Sequence, residues 1–165
     1  MRLDETLHAF LLTQSGIPVL YSGDEIAQLN DNDYHNDPLK VEDSRYIHRG
    51  DFSWKDAEKR DDPTTREGRI YQFLRKIETL RADHPVFEPD ADVWTMEPLN
   101  DHVLAIGRYY RKEKLLALFN FSPIEQSAWL NEPEAYTDLM TGKPRSDLKV
   151  DLPGYGFAWL YAKLD

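Results

Sequence analysis

Leu3, Leu7, Phe10 and Leu11 recur at the spacing of successive helical turns, which predicts an amphipathic helix over residues 3–14. Gly16 is placed to end it, because glycine accepts the left-handed conformation just past a helix. Ile17-Pro18-Val19-Leu20-Tyr21 is short and apolar on both faces, the pattern of a strand buried on both sides, with Pro18 at its beginning. Residues 24–63 are rich in Asp, Asn, His and Arg. A loop of that length is usually functional or disordered, and Tyr34, Tyr46, Phe52 and Trp54 argue against disorder. Thr64 with Glu67 forms a capping-box pattern, and Ile70, Phe73, Leu74, Ile77 and Leu80 mark one face of a helix over about 66–82. His84-Pro85 ends it.

From residue 92 the period changes to two. Val103–Tyr110 and Leu115–Phe121 read as a hairpin around Lys112-Glu113-Lys114. Leu148, Val150 and Leu152 alternate with charged partners, and 156–162 is a last, aromatic strand after the Pro153-Gly154 turn. The order is therefore helix, buried strand, polar loop, helix, all-β region, with a boundary near Asp83 to Pro89. There is no internal repeat and no low-complexity segment.

Composition narrows the partners. Thirty acidic against twenty basic residues leave a net charge of −10, which repels phosphate backbones and disfavours nucleic acid while leaving neutral sugars unaffected. The chain has no cysteine, hence no disulfide framework or thiolate metal site. No signal-peptide core and no membrane-length apolar run occur, so the expectation is a cytoplasmic protein without membrane, metal or cofactor. The acidic stretch invites a calcium reading, with Asp31, Asp33, Asp37 and Glu42 near positions 1, 3, 7 and 12 of an EF-hand loop. His35 and Asn36 stand where an oxygen ligand and a glycine are needed, and a solvated loop is preferred.

Gly16 followed by Ile17-Pro18-Val19-Leu20-Tyr21-Ser22-Gly23-Asp24-Glu25 resembles the eighth-strand segment of α-amylase-superfamily enzymes. Arg75 to Pro85 resembles their final barrel helix. Val103-Leu104-Ala105-Ile106, Leu118-Phe119-Asn120-Phe121-Ser122 and Tyr136-Thr137-Asp138-Leu139 with Gly142 resemble their β-sandwich, domain C. The resemblance implies an α+β fragment: the last helix–strand–loop–helix of a (β/α)8 barrel over 1–84, and domain C over 89–165. Asn30-Asp31-Asn32-Asp33-Tyr34, Glu42-Asp43-Ser44-Arg45-Tyr46-Ile47-His48-Arg49, Arg60-Asp61-Asp62-Pro63 and Ile70-Tyr71-Gln72 are most similar to amylosucrases and sucrose hydrolases. Gly50 departs from the proline usual there.

That resemblance implies a retaining enzyme acting on sucrose or α-glucans, whose nucleophile and acid/base lie on strands absent from this sequence. No catalytic residue is therefore expected here, and the chain by itself is expected to be inactive. Asp24, Asp43, Arg45 and His48 are the candidate substrate-binding residues. In the family the arginine matching Arg45 pairs with an acidic residue at the bottom of the sucrose pocket, and the guanidinium fork suits that role. A loop salt bridge with Asp43 is the plainer alternative for Arg45, loop shaping for His48 and Arg49, and for Asp24 and Glu25 a turn whose carboxylates bind backbone or a basic partner. Phe157, Trp159 and Tyr161 have the period of sandwich core residues, though aromatics also stack on sugars. Asn120-Phe121-Ser122 matches a glycosylation acceptor but falls inside an expected strand. Two other readings are a stand-alone β-sandwich carbohydrate-binding module and a truncated product whose stable part is domain C. A lone barrel strand leaves unpaired groups, so residues 1–65 are expected to be poorly ordered or to self-associate.

Overall fold

The computed structural model describes residues 1–132 and 135–164. It contains three α-helices, α1 (Arg2–Thr13), α2 (Trp54–Ala57) and α3 (Arg66–Asp83), with short 3₁₀ turns between them. Eight strands follow: β1 (Asp92–Met96), β2 (Val103–Tyr110), β3 (Glu113–Asn120), β4 (Gln126–Trp129), β5 (Tyr136–Asp138), β6 (Pro144–Arg145), β7 (Lys149–Leu152) and β8 (Phe157–Lys163). Two compact units emerge. One joins residues 1–18 to 75–165; the other is 19–74, and α3 runs from one into the other.

In the first unit, six antiparallel strands are ordered β1-β2-β3-β8-β5-β6, and β4 pairs with β7 as a separate ribbon. The β2–β3 hairpin turns through Arg111 and Lys112, both at positive φ, as a two-residue turn matched to strand twist requires. Alternation then sorts the side chains. Ala105, Leu116, Leu118, Ala158 and Leu160 share one core with Ala128, Val150 and Leu152 of the ribbon. Asn120 is fully buried beside it, and its amide nitrogen donates to the carbonyls of Ile124 and Pro153 at 2.7 and 2.9 Å, which removes it as a glycan acceptor in the folded chain.

The opposite face of the sheet carries the aromatic row, and here the expectation needs correcting. Trp159 is fully buried, yet it packs away from the ribbon: its Nε1 donates to Thr13 Oγ1 at 3.0 Å and its ring lies 4.9 Å from Phe87. Tyr161 meets His84, and burial with a hydrogen bond to Glu113 pushes its hydroxyl up to about 12. The β3–β8 register sets Trp159 opposite Ala117 and Leu160 opposite Leu116, so the aromatics take the face under α1.

The helix α1 forms where expected but buries a different side. Thr6, Ala9, Leu12 and Thr13 face inward, whereas Leu3 and Leu7 are exposed. Hydroxyls decide this: Thr6 Oγ1 donates to the Tyr155 carbonyl at 2.7 Å, and Thr13 receives Trp159. Arg108 locks the assembly. It is fully buried and donates to the carbonyls of Thr13 (2.7 Å), Val86 (2.8 Å) and Glu88 (2.8 Å). Arg81 reaches the carbonyls of Leu12 and Gly16 beside it, and both guanidinium groups approach the Phe87 ring.

Two further expectations are overturned. Residues 17–21 form no strand, and Ile17 and Val19 are 85% and 78% exposed. An apolar run becomes a strand only with a ladder partner for its backbone groups, and this one has none among the described residues. Thr65 rather than Thr64 caps α3: its Oγ1 accepts from the Gly68 N–H at 3.0 Å, while Thr64 bonds to Asp62. Among the described residues no helix is long and apolar enough to cross a membrane.

Candidate functional site

Residues 22–63 are ordered by their own polar side chains. Asp31, Asp37, Asp43 and Asp62 each accept the backbone N–H two residues on, at 2.9–3.0 Å, so each bends the chain into a turn. The carboxylates of Asp31 and Asp37, counted above toward a calcium loop, are engaged in these turns.

The Gly23 turn is closed in the same manner. Gly23 adopts φ +103, which a side chain disfavours. Asp24 accepts from the Tyr21 N–H at 3.1 Å and Glu25 from the Gly23 N–H at 2.8 Å. Both carboxylates thus cap the turn they sit in, which is the plainer of their two readings. Gln28 ties this turn to a distant stretch. Its amide nitrogen donates to the carbonyls of Gly50 (3.3 Å) and Asp51 (3.1 Å), and its oxygen accepts from the Ser53 N–H at 3.1 Å. Sequence reasoning passed over Gln28, since a lone glutamine in a polar loop carries no periodicity or motif.

Arg45 grips Asp43. Its Nε lies 2.8 Å from Oδ1 and its Nη2 2.7 Å from Oδ2, a bidentate pair, with Arg49 3.9 Å from Asp43 Oδ2. Those hydrogen bonds, with the backbone N–H of Arg45, hold the Asp43 carboxyl down at about 2. The sign follows: the pairing is fully present above the ordinary value of 3.8 and is lost as pH falls through about 2. Because the pair is exposed, it organises the loop and adds little to stability. His48 Nδ1 stands 3.1 Å from Asn30 Oδ1.

Together these turns enclose a cavity of about 380 Å³. Asp24, Arg45 and His48 line it, with Tyr21, Asn30 and Arg49. Asp43 stands behind, holding Arg45. Asp24 is the one carboxylate among the described residues lining the cavity. The lining therefore offers donors and acceptors on several sides of a small polar ligand, with Tyr21 as an aromatic edge.

No family model matches the chain. The glucosylglycerate phosphorylase of Escherichia coli (strain K12) is 31% identical over 118 residues, covering 70% of this chain and 20% of that protein. The trehalulose synthase MutB from Pseudomonas mesoacidophila MX-45 shares the fold with a TM-score of 0.77 at 18% identity, over 97% of this chain and 38% of MutB. The maltogenic amylase from S. marinus does so with a TM-score of 0.68 at 21% identity, over 99% of this chain and 20% of the amylase. The chain thus spans well under half the length of each of these relatives. The sequence likeness to one protein and the fold shared with the others agree: the chain is similar to the C-terminal part of α-amylase-family enzymes.

Proposed function

We propose that this chain is the C-terminal part of a retaining enzyme that acts on α-glucosidic bonds of sucrose or α-glucans. In this reading residues 22–63 build one side of the sugar pocket, and the six-stranded sheet with its ribbon forms the β-sandwich of domain C. The observation that carries it is the cavity in which Asp24, Arg45 and His48 converge, residues scattered over 25 positions of a loop. The proteins similar in fold support the substrate class: a mutant of MutB has been crystallised with the substrate sucrose, and a mutant of AmyP with maltotriose.

The same cavity argues that the chain performs no glycoside chemistry by itself. Retention needs two carboxyl groups about 5–5.5 Å apart across one bond, one attacking and one donating a proton. Asp24 is a single carboxylate and is committed to the Tyr21 N–H. Incubating the chain with sucrose and with maltotriose is therefore expected to release no sugar. In an NMR titration with sucrose, shifts are expected at Gly23, Gln28, Asn30 and Gly50, and Arg45→Ala should abolish them. Turnover that disappears on Asp24→Asn would overturn the assignment of Asp24 to binding.

The exposed apolar side chains of Ile17, Val19 and Tyr21 fit this reading, as a segment that the rest of a barrel would cover. Such a surface favours association between copies. Sedimentation of the chain is expected to show concentration-dependent self-association, weakened by Val19→Lys; a monomer at every concentration would count against it.

A further inference from the structure

The β4–β7 ribbon turns Ala128, Val150 and Leu152 into the core, so strand alternation sends Ser127, Trp129, Lys149 and Asp151 outward. Trp129 is 44% exposed, so its ring is open to a ligand from solvent. Register sets Trp129 opposite Lys149 and Ser127 opposite Asp151. The polar groups are already fixed in place. Ser127 Oγ donates to Asp151 Oδ1 at 2.5 Å, and Lys149 Nζ lies 2.8 Å from the same oxygen. The Lys149 ammonium also stands 5.9 Å from the centre of the Trp129 ring.

At the end of this face lies a cavity of about 460 Å³, bounded by Glu97, Leu99, Trp129, Leu130, Asn131 and Leu148. Its edge is held in an unfavourable conformation: Leu99 has φ +55, rare for a branched residue, with its N–H donating to Glu97 Oε1 at 2.9 Å.

The chemistry singles out one class of ligand. A flat indole offers a platform for a ring that presents C–H groups on one face. About 6.8 Å along the strand, one side-chain repeat away, Ser127 and Asp151 present a hydroxyl and a carboxylate. The Lys149–Asp151 pair is charge-compensated, so the face does not select an ion. A nucleobase would also stack, but its phosphates meet a chain of net charge −10. We propose that the outer face of the β4–β7 ribbon binds a neutral pyranose oligosaccharide, with Trp129 as stacking platform and Ser127, Lys149 and Asp151 as the hydroxyl-reading array. This surface shares no lining residue with the Asp24–Arg45–His48 cavity.

The test is an NMR titration of the full chain with maltohexaose and, in a parallel arm, cellohexaose. Saturable shifts are expected at the Trp129 indole N–H and at the amides of Ser127, Asn131 and Lys149. Trp129→Ala should weaken the binding at least tenfold with an unchanged thermal transition, whereas Trp54→Ala and Arg45→Ala should leave it intact. A response to either sugar supports the proposal, and the arm that responds identifies the linkage. Absence of saturable shifts with both sugars would overturn it, as would undiminished binding by Trp129→Ala. Self-association that vanishes with Trp129→Ala would also overturn it, by making the face an interface between copies.

Discussion

Replacing Arg108 with methionine is expected to destabilise the sheet-bearing unit by about 2–4 kcal/mol, the net of two opposed effects. Burial, with Arg81 as a neighbouring like charge, lowers the guanidinium from its ordinary 12.5 to about 10. A drop of that size corresponds to roughly 3 kcal/mol of disfavoured charge, which methionine would return. Against this, methionine orphans three buried carbonyls, of Thr13, Val86 and Glu88, at about 1–3 kcal/mol each. Buried ion pairs can be replaced by apolar residues without loss because both partners are replaced together. Backbone carbonyls cannot be, so the orphaned acceptors decide the sign. Thr13 is the last residue of α1, so the hold on that helix should loosen first. Arg108→Lys should fare nearly as badly, because one ammonium cannot span three carbonyls that the planar fork meets at once. Denaturant titration reads the effect, and a midpoint for Arg108→Met equal to the parent's would refute it.

Gly68→Ala is expected to cost about 3 kcal/mol in the loop-bearing unit, although helix propensity taken alone favours alanine by about 1 kcal/mol. Gly68 lies in the first turn of α3. A Cβ there would stand 2.0 Å from the Asp62 carbonyl oxygen and 2.8 Å from that of Lys59. Both are backbone atoms held by other bonds: Asp62 O receives Thr65 Oγ1 at 2.8 Å, and Lys59 O receives the Asp62 N–H at 2.9 Å. The clash cannot be relieved by turning a side chain, so the 58–65 turn has to move and the Thr65 cap with it. Faster hydrogen exchange of the backbone amide at position 68 and a lower denaturation midpoint are the expected readings. A rise in midpoint would show that propensity outweighs the contact.

These two positions mark where the sequence stops being informative. Nothing in Gly107-Arg108-Tyr109 distinguishes a buried arginine from a solvated one, since its three acceptors come from Thr13, Val86 and Glu88. In the candidate site, Asp43 with Arg45 was legible because both partners lie two residues apart. The role of Gln28 was not, because Gly50, Asp51 and Ser53 come to it only through folding.

Short-range chemistry was written in the chain. The β2–β3 hairpin, α3 with its buried Ile70, Leu74 and Ile77, the Asp-led turns of the polar loop and the self-capped Asp24-Glu25 turn all depend on groups within a few residues of one another. Tertiary structure decided everything that depends on a partner far along the chain. It chose which face of α1 is buried, through Tyr155 and Trp159. It placed the β8 aromatics on the helix side of the sheet rather than between sheets, and left residues 17–21 without a strand. The reason is the same in each case. Periodicity states that a face is apolar, but only the surface that arrives to meet it determines whether that face is covered, and by what.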